Sequence, residues 1–241
     1  MEIIFLGDSV LIVRVRERFD DAPEEALKEV LRAFQQLRSA VTPGLIEVAP
    51  AYTSVAVFFD PIAMSKASAK ADQAFDWFLE RVREVVAAGG DRGRGVRTAR
   101  SDRRLVEIPV CYDAEFAPDL DDVARHAQIS RKEVADLHNA AEYRVSCIGF
   151  VPGFPFLAGL ATKLATPRRT TPRKEIPPGS VGIGGAQTGI YPLRSPGGWN
   201  LIGRTPLRLF DPRKDPPTLL RAGDHVRFRA ITREEFDSFK R

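Results

Sequence analysis

Cysteine is scarce, and that scarcity excludes two classes of protein at once. With only Cys111 and Cys147 in 241 residues, the chain can carry neither a disulfide framework nor a multi-cysteine zinc site. In a cytosolic chain, two such thiols are more often small buried hydrophobes than a bridge. Histidine is nearly as rare, and His126, His138 and His225 show no metal-ligand spacing. No apolar run approaches the roughly 20 residues needed to cross a bilayer. The opening residues 1–8 carry an early acid, no basic n-region and no small-residue cleavage site, so no signal peptide is expected and the cytoplasm is the expected location.

Several catalytic fingerprints are missing as well. The glycine-rich residues 182–189 have no lysine before Thr188, which excludes a Walker A loop. They also lack the last spacing of G-x-G-x-x-G, and no helical pattern comes after them, so a dinucleotide fold is excluded too. No G-x-S-x-G elbow surrounds Ser180 or Ser195. Repeats of fixed period and low-complexity tracts are absent.

What remains is an ordinary globular composition, 44% hydrophobic and 28% charged, long enough for one large domain or two small ones. A net charge of +4 is mildly basic, and acids and bases are mixed along most of the chain. Residues 167–174, Pro-Arg-Arg-Thr-Thr-Pro-Arg-Lys, depart from that mixing. They have no interleaved aromatics, so a solvated loop is a better reading than a nucleic-acid site.

The first 90 residues read as strands and helices in turn. Ile3–Leu6 and residues 10–15 are β-branched runs divided by Gly7-Asp8. Pro23 followed by two acids opens a helix whose Ala26, Val30, Leu31, Phe34 and Leu37 share a face. Pro43-Gly44 ends it. Two further strands cover Ile46–Val48 and Val55–Phe59, with Asp60-Pro61 as a stop. A second amphipathic helix covers residues 68–86. The expected first domain, residues 1–90, is therefore an α+β unit in which two helices pack on a small sheet. Gly- and Arg-rich residues 88–95 mark the boundary, and the second domain runs over 91–241. There a strand at residues 104–110 precedes a helix opening at Asp119, and Ser130-Arg131-Lys132-Glu133 spells a capping box. From Tyr143 onward, glycine and proline recur every few residues, as in a β-barrel or sandwich with tight turns.

Two stretches are unlike ordinary core or surface. Residues 149–160, G-F-V-P-G-F-P-F-L-A-G-L, set three phenylalanines on a loop stiffened by proline. They form either a packed plug at a barrel end or one apolar wall of a ligand pocket. Residues 172–206 flank short polar residues with glycine, so that a ligand could approach backbone N–H groups; the alternative is glycines that serve only bends.

The runs at residues 149–160, P-R-x-x-I-P-P-G-S-V-G-I-G-G-A-Q-T-G-I-Y-P and S-P-G-G-W-N-L-I-G-R-T-P resemble the signature of the family that holds the 5-oxoprolinase B subunit, KipI and allophanate hydrolase subunit 1, and that carries carboxyltransferase subdomains C and D. Gly7-Asp8, Tyr112-Asp113, Asp119-Leu120-Asp121 and Leu137-His138 fit its pattern too. Phe156 stands where the family often has Tyr, and Gly184 where it often has Ala.

The resemblance implies a mainly β, cyclophilin-like barrel after the small α/β domain; a barrel of that shape is not thereby a prolyl isomerase. It implies one component of an ATP-dependent 5-oxoprolinase that opens 5-oxoproline to glutamate and is active only as a complex. The partners would be the C subunit (KipA-like, allophanate hydrolase subunit 2) and the A subunit, with ATP bound with or by the partner. The alternatives it carries are an inhibitor of a sensor histidine kinase, or a component of another urea- or allophanate-related carboxyltransferase or hydrolase. No nucleic-acid, membrane or metal partner is expected.

A lactam is a stable amide, and phosphorylating its oxygen would activate it, which demands cations against phosphate and donors for the substrate carboxylate. On that basis Arg173 and Arg204 are assigned to anion binding, with Arg204 and His138 as the catalytic candidates. Gln187, Thr188 and the backbone at Gly185 would orient the amide or carboxylate, and Phe150, Phe154 and Trp199 would wall the site.

Overall fold

The computed structural model describes residues 1–19, 21–68, 73–91 and 104–239, side chains of 89–91 excepted. The chain forms two compact units, Met1–Asp102 and Arg103–Arg241. The helix before the expected boundary runs on to Asp91, so Gly89 and Gly90 are helical; residues 92–95 of the expected linker lie outside the described residues.

In the first unit, β1 (Glu2–Phe5), β2 (Val10–Arg14), β3 (Leu45–Ala51) and β4 (Ser54–Phe59) form one antiparallel sheet in the order β1-β2-β4-β3. Alternation puts Leu11, Val13, Val55, Val57 and Phe59 on one face. They meet Val30, Ala33 and Leu37 of α1 (Pro23–Ser39) and Phe78 and Val82 of α3 (Ala74–Asp91). Each such buried side chain contributes about 1.5–3 kcal/mol. Pro23 takes the first turn of α1 as its missing N–H allows, with Glu24 and Glu25 beside the positive end of the helix.

Asp60-Pro61 ends β4 at Phe59 as expected, and it also starts an unexpected helix, α2 (Pro61–Ala67): the Asp60 carboxylate accepts from the N–H groups of Ile62 (2.8 Å) and Ala63 (3.1 Å). Asp before Pro is as good a helix start as it is a strand end. The next helix accordingly begins at Ala74 rather than at Ser68.

The second unit holds β5 (Leu105–Val110), α4 (Leu120–Ala127), α5 (Arg131–Ala140), β6 (Glu142–Ile148), β7 (Pro155–Ala158), β8 (Arg173–Ile176), β9 (Ser180–Gly184), β10 (Gln187–Ile190), β11 (Ser195–Gly197), β12 (Asn200–Arg204), β13 (His225–Ala230) and α6 (Arg233–Ser238). Seven strands make one sheet in the order β12-β9-β10-β7-β6-β13-β5, with β13 and β5 parallel and the other pairs antiparallel; β8 and β11 form a separate ribbon. The two edge strands meet just past the end of β5. Cys111 and Arg204 exchange both backbone hydrogen bonds at 2.9 Å. The sheet is thus curled into a half-barrel, its interior filled by Ile108, Val145, Leu157, Ile183, Ile202 and Phe228 among others. The capping box at α5 forms as spelled: Ser130 Oγ accepts from the Glu133 N–H, and the Glu133 carboxylate accepts from the Ser130 N–H.

Candidate functional site

The sheet positions a second, smaller apolar cluster made of Phe154, Ile176, Tyr191, Trp199 and Leu201. Phe154 is its hub, with ring centroids 5.1 Å from Tyr191, 5.5 Å from Trp199 and 4.9 Å from Phe156, all tilted or edge-on. The glycines around it make room for Trp199. A Cβ on Gly184 would fall 2.5 Å from the indole nitrogen, and one on Gly189 would lie 3.0 Å from both Phe154 and Trp199. Their missing side chains therefore admit an indole of the same chain, and not a ligand as the glycine spacing suggests.

Phe154 and Trp199 are buried, which fits the packed-plug alternative for Phe154. Phe154 plugs, while Phe150 alone of the three expected wall residues faces solvent, 59% exposed. Phe150 also sits at φ +68°, a left-handed conformation that a side chain with a Cβ rarely adopts. The loop around it is closed by hydrogen bonds from Gly149 N–H to Phe154 O and from Phe154 N–H to Val151 O, both 3.1 Å.

Against this cluster lies the basic segment. The Arg169 N–H donates to Gly198 O at 2.7 Å, and the Arg168 guanidinium stands 5.9 Å from the Trp199 ring. Arg169 Nη1 and Arg173 Nη2 each donate to the same carboxylate oxygen, Asp119 Oδ1, at 2.7 Å. Asp119 Oδ2 accepts from the Leu201 N–H at 2.7 Å. Asp119 is 2% exposed and precedes α4 by one residue, yet its side chain makes no cap bond, because it is turned to the arginines. Two guanidinium donors, Arg169 Nε and Arg173 Nη1, are buried without an acceptor in the protein. Burial raises the Tyr191 hydroxyl pKa, partly countered by a backbone hydrogen bond at Trp199 and the charges of Arg168 and Arg173.

The remaining expected residues fall elsewhere. Gly185 starts the two-residue β9–β10 turn at φ +66°, and its N–H and C=O both pair with Thr166, so it offers no donor to a ligand. Gln187 comes just after the turn, opposite Gly184. Thr188 is fully buried and donates to Gly182 O at 3.0 Å, which leaves its oxygen to accept from His138 Nε2, also 3.0 Å away. His138 Nδ1 then accepts from the Tyr112 hydroxyl at 2.8 Å. Both ring nitrogens are engaged, the ring stacks on Phe228 at 4.3 Å, and burial pushes its pKa down to about 3. That geometry does not fit the acid–base role expected of His138 or the ligand contact expected of Thr188; both knit α5 to β10.

Arg204 is likewise apart from Gln187 and Trp199. It pairs with Ser180, at the opposite end of β9 from Gly184, roughly 13 Å along the strand. There its Nε donates to Pro178 O and its guanidinium lies 5.7 Å from the Phe116 ring. Burial lowers its pKa, with Glu115 acting the other way. The arginine that stands beside Arg173 on Asp119 is thus Arg169, which spacing alone does not single out. The one signal is the unmixed charge of residues 167–174.

The chain belongs to the family of the carboxyltransferase domain, subdomain C and D, which matches residues 1–220. Within it, the chain is 44% identical to the 5-oxoprolinase B subunit of Bacillus subtilis over 98% of this chain and 95% of that protein. It is 57% identical to the 5-oxoprolinase B subunit of Escherichia coli O157:H7 over 53% of this chain and 58% of that one. The crystal structure of TTHA0988 superposes with a TM-score of 0.73 at 36% identity, covering 92% of this chain and 40% of the larger one. This chain therefore spans about two fifths of that protein.

Proposed function

We propose that this chain is the B component of an ATP-dependent 5-oxoprolinase, opening the cyclic amide of 5-oxoproline to glutamate together with an A component and a C component in the cytoplasm. The identity to proteins named as 5-oxoprolinase B subunits supports the activity. One structural observation supports the site: three arginines, Arg168, Arg169 and Arg173, gather at an aromatic cluster whose outer ring, Phe150, is exposed. A small, flat, anionic lactam needs that combination, an apolar face beside cations. The curled sheet agrees with the cyclophilin-like barrel expected of the family.

ATP is assigned to a partner. The glycines of the Gly-rich run, Gly182, Gly184 and Gly189, are paired in β9 and β10 and packed on Trp199, so they form no open nest of N–H groups for phosphate. Among the described residues no helix is long and apolar enough to cross a membrane.

The test is reconstitution. The purified chain is combined with its A and C partners, and ADP and glutamate are measured as 5-oxoproline is added. Turnover that requires this chain supports the proposal; equal turnover without it, or capture of a histidine kinase with no turnover, overturns it.

A further inference from the structure

The two guanidinium donors without an acceptor have a common address. Arg169 and Arg173 both reach Asp119 Oδ1 at 2.7 Å. Because a guanidinium is a rigid planar fork, Arg169 Nε and Arg173 Nη1 each lie within about 5 Å of that oxygen. Neither has an acceptor in the protein, and both are buried. A buried donor left unmade is costly, and two on adjacent cations call for an acceptor that arrives from outside.

Geometry says what kind. The planar guanidinium fork matches the two oxygens of a planar carboxylate, and with Arg168 at the same corner the arginines outnumber the single carboxylate Asp119, so the ligand is an anion. Asp119 is held in turn from behind. Its Oδ2 accepts from the Leu201 N–H at 2.7 Å and its own N–H donates to Leu201 O at 3.0 Å. The carboxylate therefore cannot swing away, and it fixes both forks relative to β12.

We propose that Arg169 and Arg173 form a carboxylate clamp, with Asp119 as the positioning residue that aims their free donors. The ligand class is a small monocarboxylate. Its identification with the carboxylate of 5-oxoproline rests on the proposed 5-oxoprolinase function; the clamp itself does not.

The test is NMR of the arginine side-chain Nε–H groups in the intact chain, titrated with propionate, 5-oxoproline and inorganic phosphate. Arg169→Lys identifies the Arg169 Nε–H signal by its loss, and Arg173→Lys keeps the charge beside Asp119 while removing the rigid fork that aims the Nη1 donor. Propionate should shift the Arg169 Nε–H resonance and slow its exchange with water, and Arg173→Lys should weaken that binding about tenfold. Phosphate should bind more weakly than propionate. No response to any carboxylate, a response unaltered in Arg173→Lys, or a preference for phosphate would overturn the clamp. A response to propionate but none to 5-oxoproline supports the clamp and places the failure in the substrate assignment instead.

Discussion

Gly184 and Trp199 occupy one another's space: a Cβ built on the glycine would lie 2.5–2.6 Å from three atoms of the indole. The indole is seated by that absence, and with it the turn that carries Gly198, to which Arg169 is hydrogen-bonded. Alanine at 184 should therefore fold but reseat the ring. The expected outcome for Gly184→Ala is a loss of about 1–3 kcal/mol and a changed tryptophan emission, read in a Trp77→Phe background. Gly189→Ala should be worse, since its Cβ would meet the backbone oxygen of Pro155 at 2.8 Å, an atom that cannot rotate away.

Asp119→Asn removes the charge between two guanidiniums. Breaking a fully buried pair costs about 3–5 kcal/mol, but Arg169 and Arg173 keep some access to water, so the expected loss is about 2–3 kcal/mol in a urea titration. A change under about 0.5 kcal/mol would show that the arginines do not depend on Asp119.

His138 is neutral in the fold and chargeable when unfolded. Its pKa falls from 6.5 to about 3 through burial, so between those values the unfolded chain holds more protons, and stability falls as pH drops from 6.5 toward 3. The loss is about 1.4 kcal/mol per pH unit at most. Melting temperatures measured from pH 7 to pH 4 should decline steeply in the parent chain. The decline should be shallower in His138→Gln, which starts from a lower value.

Phe150 combines a left-handed backbone with exposure to water. Asn tolerates that conformation, so Phe150→Asn should leave stability within about 0.5–1 kcal/mol while raising the KM for 5-oxoproline in the reconstituted complex. A large loss of stability would instead mark Phe150 as a packing residue.

The elements were legible where periodicity or capping chemistry is local. The run from Pro23 through Leu37, the apolar runs of β2 and β4, and the Ser130–Glu133 box all formed as their sequence implies. Asp60-Pro61 was legible as the end of β4 but not as the start of α2, because the same pair serves both and only the residues after it decide. The candidate residues were legible by type but not by partner. Phe154 and Trp199 pack in one apolar cluster, while Arg173 donates to Asp119 and it is Arg168 that lies on the Trp199 ring. Arg204 and His138 were assigned from residue type, and strand register sends one to the far end of β9 and the other into the interior. Asp119 looked like a helix cap and Arg169 like a solvated base. Their pairing joins positions 50 residues apart, which no local pattern encodes.

The substrate assignment is tested most directly by the KM for 5-oxoproline of the reconstituted complex carrying Arg173→Gln, measured through substrate-dependent ATP hydrolysis with Arg204→Ala alongside. The expected result is a KM raised about tenfold or more for Arg173→Gln, with Arg204→Ala changing stability more than KM. An Arg173→Gln complex with the parent KM would contradict the binding of substrate at this corner.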